Sequence, residues 1–252
     1  MSRRGDAGRA EASNASTDDA SVYTRAYYAR TLHQRHWFRN NRRKFATRWQ
    51  AIIRMLDPAA EDVVLDVGSA GGEHALRLAP FVARVIGIDS AAEAIAFATT
   101  RAQGIPNVAF VRTDAAALDV FPAGTFDKAM AIDFVEHVGD ATLDRVQREI
   151  WRVLRPGGTL AIYTPCGSHY VERMKRHGLI LRQTPGHIAV RDEAQCSRAF
   201  PAPWWRIRQR FVLPSTYPAF GRIDRMLGPL PLVGRWFHFR LCLALERTSG
   251  KQ

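Results

Sequence analysis

One stretch limits what this 252-residue chain can fold into more than any other. Val63-Val64-Leu65-Asp66-Val67 runs into Gly68-Ser69-Ala70-Gly71-Gly72, and that turn runs into the helix-like segment Glu73–Ala79. A short apolar run without polar alternation is a strand buried on both faces. Gly68, Gly71 and Gly72 carry no side chain to keep a ligand from the backbone, and the helix after them starts with unpaired N–H groups. Strand, glycine turn and helix, in that order, open a parallel α/β sheet.

The same rhythm continues. Strands are predicted at Arg84–Ile88, Asn107–Arg112, Phe126–Ile132 and Thr159–Thr164, with helices at Ala91–Gln103 and Thr142–Leu154. The last helix carries the stripe Leu143, Val146, Ile150, Val153 and Leu154. Upstream, Phe45, Trp49, Ile52, Ile53 and Leu56 give one apolar face to a helix over Asn41–Leu56. After Pro165 the segment 166–204 is polar, basic and rich in turn formers. Arg206–Leu213 and Phe237–Leu245 read as two more strands, separated by a Pro/Gly-broken apolar segment with a short helix around Ile223–Leu227. The expected organisation is a disordered tail over 1–20, a helical cap over 21–56, a ligand-binding core over 57–165, and a C-terminal part of the same domain over 166–252. The cap includes the aromatic set Tyr23, Tyr27, Tyr28, Trp37 and Phe38.

The formal net charge of +12 is unevenly spread. Residues 1–50 carry 11 bases and 4 acids, 51–165 carry 10 and 15, and 166–252 carry 15 and 5. The basic flanks favour an anionic partner: nucleic acid, acidic lipid headgroups or an anionic small molecule. Cys166, Cys196 and Cys242 have no metal-type spacing and form no disulfide framework, which fits a reducing, cytoplasmic setting. No secretory leader is read at the N-terminus, and no apolar run is long enough to span a bilayer.

In a parallel sheet, ligands lie outside the carboxyl ends of the strands. Four acids stand there: Asp66 before the turn, Asp89 after the second strand, Asp114 after the third and Asp133 after the fourth. A pyrophosphate-binding G-x-G-x-x-G turn would end in glycine, whereas this chain has Glu73 in that position. A ligand with an ammonium, a ribose and an adenine, but no phosphate, suits four acids. S-adenosyl-L-methionine is such a ligand.

The segments VVLDVGSAGGEHALRLA, VIGIDSAAEAIAFA, VAFVRTDAAAL, FDKAMAIDFVEHV and LRPGGTLAIYTP resemble the class I S-adenosylmethionine-dependent methyltransferases, including the small-molecule enzymes of ubiquinone and menaquinone biosynthesis. The resemblance covers residues 57–165. It implies an α/β, Rossmann-like, doubly wound and mainly parallel seven-stranded sheet with an N-terminal helical cap. By the same resemblance Asp66, Gly68 and Gly72 frame the methionine end of the cofactor, Asp89 binds ribose, Asp114 adenine, and Asp133 the mouth beneath the sulfonium. Ser69, Ala70, Ser90 and Ala115 complete that cofactor set. Ala70 stands where the family usually has glycine, and alanine fits there with a negative φ.

Methyl transfer from a sulfonium is a direct displacement, so a base is needed only for a neutral acceptor. His169 and His187 are the leading candidates, with His137 behind them. The ubiquinone-pathway O-methyltransferases resemble Asp133-Phe134-Val135-Glu136-His137, where two acids and a histidine are proposed as metal ligands. Here the first acid is Asp, and Glu-His after the fourth strand is also common in relatives without metal, so no metal is expected. Pro165-Cys166 resembles the nucleophile dipeptide of RNA cytosine-5 methyltransferases but lacks a second cysteine, and no RNA-binding module is visible. The expected function is O- or C-methylation of a small molecule, anionic, lipid-like or a biosynthetic intermediate. Peripheral contact with an anionic membrane through Leu227–Gly234, beside Arg235, Trp236 and Arg240, is a further expectation. The alternatives are an RNA methyltransferase, favoured by the basic flanks, and a protein that binds the cofactor without transferring its methyl.

Overall fold

Burial on two faces explains why the strands read as unbroken apolar runs. In the computed structural model β1 (Val63–Val67), β2 (Arg84–Asp89), β3 (Val108–Arg112), β4 (Phe126–Ile132), β5 (Leu154–Pro165), β6 (Trp205–Leu213) and β7 (Arg240–Arg247) form one sheet in the order β3-β2-β1-β4-β5-β7-β6. The first five strands are parallel, and β7 is antiparallel to both β5 and β6. Residues 42–179, 183–184 and 186–249 are described. The expected tail and the aromatic segment 21–39 lie outside them.

Successive residues of each central strand serve opposite cores. Leu65, Val67, Ala129, Ala131, Leu160, Ile162, Leu241 and Leu243 pack with Leu143, Val146 and Ile150 of α4 (Asp140–Val153). Val64, Met130, Ile132, Ala161, Tyr163 and Cys242 pack on the other face with Ile52, Met55 and Leu56 of α1 (Arg42–Leu56) and Leu78 of α2 (Glu73–Leu78). Helix α3 (Ala92–Arg101) lies against β2 and β3. Helix α1, the described part of the segment expected as a cap, packs across β4, β5 and β7. Strand order reverses at β1, whose neighbours are β2 and β4, and this opens a crevice at the carboxyl ends.

Several boundaries differ from expectation. β5 starts at Leu154 because the Pro-Gly-Gly turn is absorbed as an irregularity: Phe126 pairs with Leu154, and Lys128 already pairs with Thr159. β7 starts at Arg240 because Gly234–Phe237 form a 3-10 turn. The segment read as turn-rich holds two short helices, α5 (Tyr170–Arg176) and α6 (Glu193–Ala199). A capping box starts α6: Asp192 accepts from the Gln195 N–H at 2.8 Å, and Gln195 accepts from the Asp192 N–H at 2.9 Å. Helix α7 (Pro218–Leu227) begins five residues earlier than expected, with proline in its first turn, where a missing N–H costs nothing. No helix among the described residues is long and apolar enough to cross a membrane.

Leu65 is fully buried at the centre of this sheet. Leu65→Ala is expected to cost ~2–5 kcal/mol, read as a lowered urea midpoint at unchanged slope.

Candidate active site

The glycine turn is bent by three residues with left-handed backbones: Gly68 at φ 70°, Ala70 at φ 45° and Gly72 at φ 75°. The expectation of a negative φ at Ala70 is therefore corrected. A β-carbon in that region is strained by ~1–3 kcal/mol. What holds it is Asp89 at the end of β2, whose Oδ2 accepts from the Ala70 N–H at 3.0 Å while Oδ1 accepts from the Ala91 N–H at 2.9 Å. Burial raises the Asp89 pKa. Two of the glycines also make room for aromatic rings. A β-carbon at Gly68 would lie 2.5 Å from Phe134, and one at Gly72 would lie 2.4 Å from Phe110. From α3, Arg101 donates to the Gly71 carbonyl at 2.6 Å and pairs with Glu73 at 2.9 Å.

Two buried polar atoms at this turn have no partner among the described residues: Asp66 Oδ2 and Ser69 Oγ. Asp66 sits inside β1, between Gly87 and Met130 of the neighbouring strands. Burial, and then the nearby Asp89 charge, push its carboxyl up to about 7. An ammonium would supply the missing partner and draw the proton off. The donor set thus fits the amino-acid end of the expected cofactor. Asp114 and Ser90 are exposed beside the crevice; Asp114 accepts from the Ala116 N–H at 2.8 Å, and Ala115 packs against the core.

The other side of the mouth is built from side chains. Asp133 follows β4 with φ 50°, and its N–H donates to the Tyr163 carbonyl at 2.8 Å. Arg48 of α1 reaches its Oδ2 at 2.8 Å, and Arg240 of β7 reaches its Oδ1 at 2.9 Å. Both guanidiniums lie over the Tyr163 ring, 5.2 and 5.4 Å from its centroid. Asp133, expected beneath the sulfonium, stands after β4 as the anion between two cations. His74, at the start of α2, is pushed down to about 3 by burial and by the Arg48 charge.

Beyond Asp133, the turn Val135–His137 meets the chain after β5. Arg191 joins them: it pairs with Asp140 at 2.6 and 2.9 Å and donates to the carbonyls of Val135 and Val138 at 2.6 and 2.9 Å. The Ala189 N–H adds a bond to the Glu136 carbonyl at 3.0 Å. This clamp sets His187 against His137, with ring centroids 5.0 Å apart, while His137 Nδ1 contacts the Gly186 carbonyl at 2.8 Å. Glu136 is fully buried; Thr164 donates to its Oε2 at 3.0 Å, and its Oε1 has no partner. Burial and then Asp133 push Glu136 up to about 8, whereas burial and then His137 push His187 down to about 4. Glu172 of α5, also buried, keeps one unpartnered oxygen and lies within electrostatic reach of His187 and Arg240.

The two candidate bases part company here. His169 is fully buried; its Nδ1 accepts from the Val171 N–H at 3.2 Å, and its Nε2 lies 3.2 Å from Asp224. Both nitrogens hold structure together, capping α5 and tying it to α7, so neither is left to take a proton from an acceptor. His187 has a buried, unpartnered Nδ1. Glu136, His137 and His187 bring their ligand-type atoms within 4.8 Å of one another. Asp133, the first acid of the ubiquinone-type resemblance, stands outside this cluster and pairs with Arg48 and Arg240. The Cys166 thiol is raised by burial and contacts Ser168, so it has none of the surroundings of a nucleophile.

Sequence reasoning missed Arg48, Glu172 and Arg191, and it placed Arg240 beside a membrane-facing segment, whereas Arg240 pairs with Asp133 at the mouth. Arg48 had a signal: it precedes the buried Ile52 and Met55 by four and seven residues and so lies on the core-facing stripe of its helix.

A family model described as a methyltransferase domain matches residues 64–158. The uncharacterized methyltransferase YcgJ of Bacillus subtilis is 34% identical over 179 residues, 67% of this chain and 68% of that protein. Its crystal structure superposes with a TM-score of 0.60 at 22% identity, covering 81% of this chain and all of that one. A ubiquinone biosynthesis O-methyltransferase of Albidiferax ferrireducens is 35% identical over 108 residues, and this chain spans 42% of its length, as the match spans 42% of this chain. The structure of geranyl diphosphate C-methyltransferase from Streptomyces coelicolor, with Mg2+, geranyl diphosphate and S-adenosyl-L-homocysteine, shares the fold. Its TM-score is 0.63 at 18% identity, over 82% of this chain and 80% of that one.

Two outcomes are expected at the turn. Ala70→Gly should relieve the left-handed strain and stabilise the fold by ~1 kcal/mol, seen as a higher melting temperature. Because Asp66 titrates at about 7, binding of an ammonium ligand should expel its proton. Calorimetric affinity for S-adenosylhomocysteine should then rise from acid pH towards neutrality, with proton release, and Asp66→Asn should flatten that slope.

Proposed function

We propose a small-molecule acceptor, methylated at oxygen or carbon, for this chain, which belongs to the class I S-adenosylmethionine-dependent methyltransferases. S-adenosylmethionine, when bound, supplies a methyl group on a sulfonium. Asp66, Gly68, Ser69, Ala70 and Gly72 are assigned to its amino-acid end, Asp89 and Ser90 to the ribose, and Asp114 and Ala115 to the adenine. Asp133 fixes the arginines at the mouth.

The observation that carries the acceptor reading is the set of buried, unpartnered atoms past β4 and β5: Glu136 Oε1, Glu172 Oε2 and His187 Nδ1. Orphaned buried polar atoms are costly, so they mark where a polar acceptor completes the hydrogen bonding. His187 is assigned as the base. Its imidazole is neutral at pH 7, because burial holds its pKa near about 4. With the cofactor bound, His187 would take the proton that a neutral acceptor gives up on methylation. Glu136, protonated at neutral pH, can donate to the acceptor. The relative named for ubiquinone biosynthesis supports an acceptor of lipid-like character. The single net positive charge left by Arg48, Arg240 and Asp133 suits an anionic group on it.

The deciding experiment supplies methyl-labelled cofactor and fractionated extract. Label is expected in the small-molecule or lipid fraction; label in RNA would overturn the reading. His187→Ala should lower kcat by ~10²–10⁴ with cofactor affinity retained. The wild-type kcat should stay level around neutrality and fall as the pH drops towards about 4, where His187 takes up its proton. A chelator should leave the rate unchanged. Loss restored by a divalent ion would instead assign Glu136, His137 and His187 to a metal.

A further inference from the structure

Helix α7 is fastened to the molecule along one narrow seam. A β-carbon at Gly221 would lie 2.1 Å from the Ser215 carbonyl. One turn on, Asp224 is buried, accepts from the Ser215 N–H at 2.7 Å and pairs with His169 at 3.2 Å. The rest of the helix looks outward. Phe220, Ile223 and Met226, spaced by three, make an exposed apolar stripe with exposed Arg222 and Arg225 beside it. The turn after the helix adds Leu230 and Leu232, the latter 85% exposed, then Arg235 and Trp236, and Tyr217 stands exposed just before it. A clustered apolar surface of this kind marks an interaction site.

Charge selects the occupant. Between Tyr217 and Trp236 the sole acid is the buried Asp224, while Arg222, Arg225 and Arg235 are all exposed. A second copy of the same basic patch would be repelled. So would the aromatic segment 21–39, which contains four arginines and no acid. Apolar side chains at the centre, arginines beside them and Trp/Tyr at the edge are the composition of a helix lying in a membrane interface.

We propose that α7 and the turn after it rest on an anionic lipid bilayer. Phe220, Ile223, Met226, Leu230 and Leu232 enter the headgroup–acyl boundary, and Arg222, Arg225 and Arg235 meet lipid phosphates. The placement also serves the site. Tyr170, at the start of α5, lies with its ring 6.2 Å from Phe220 and 5.4 Å from Phe237, and Glu172 of the same helix lies within electrostatic reach of His187. An acceptor leaving the bilayer beside α7 would pass α5 on its way to His187. That last step rests on the lipid-like acceptor reading; the docking itself does not.

The test is flotation of the full chain with vesicles of phosphatidylcholine alone or mixed equally with phosphatidylglycerol. Binding to the mixed vesicles alone, weakened by salt, is expected. A Met226→Asp, Leu232→Asp double variant and an Arg222→Glu, Arg225→Glu double variant should each bind about tenfold less or weaker still. Their melting shift with S-adenosylhomocysteine should match wild type, which shows that fold and cofactor site are intact. Equal binding to both vesicles, no binding, or variants that float like wild type would overturn the proposal. So would a dimer that Met226→Asp dissociates. Docking combined with methyl label only in water-soluble products would support the surface and overturn the lipid-like acceptor.

Discussion

Asp133 gathers four parts of the chain that lie far apart in sequence. Its carboxylate is the shared counter-ion of Arg48 from α1 and Arg240 from β7, and both cations rest on Tyr163 of β5. Without the carboxylate, two guanidiniums would share one aromatic ring with no anion between them, at low local dielectric. With it, each has an opposite charge and a π-face. The layer formed by α1, the last strand and the end of β4 therefore close together. Asp133 also has a left-handed backbone, with φ 50°.

The two sides of the mouth are made differently. The cofactor side is mostly backbone: strained turns, N–H groups held by Asp89, and small residues that admit Phe110 and Phe134. The acceptor side is mostly side chain, and much of it comes from the segment after β5 that Arg191 clamps in place. The methyltransferase-domain match ends at residue 158, before Glu172, His187 and Arg191. A shared cofactor and differing acceptors across the family accord with that boundary.

β1 to β5 and the helices between them were legible because two-sided burial leaves unbroken apolar runs, with glycines at the turn. Asp89 and Asp133 stand out for the same reason, as carboxylates at the ends of buried strands. The sign of φ at Ala70 was not, because it depends on a hydrogen bond from a residue nineteen positions away. Helices α5 and α6 were hidden because each is only two turns long and is held by tertiary bonds; the Asp192–Gln195 capping box was their one local trace. His169 looked like a base because its type and place suited one. Only burial and its two bonded nitrogens separate it from His187. Arg240 opens a strand that has no local mark of a charge partner more than a hundred residues earlier.

The strand order has a consequence for the making of the protein. β6 precedes β7 in the chain, yet β7 lies between β5 and β6. As the polypeptide leaves the ribosome, β1 to β5 can assemble in turn, while β6 must wait with its hydrogen-bonding edges unmatched until Arg240–Arg247 emerge. A nascent chain can thus acquire its nucleoside-binding half early and remain without Arg240. Asp133 then has only one of its two cations, and the acceptor pocket stays unfinished until the late strand slides in. During that interval the waiting β6 edge is the natural target for a chaperone, or for the edge of a second nascent chain.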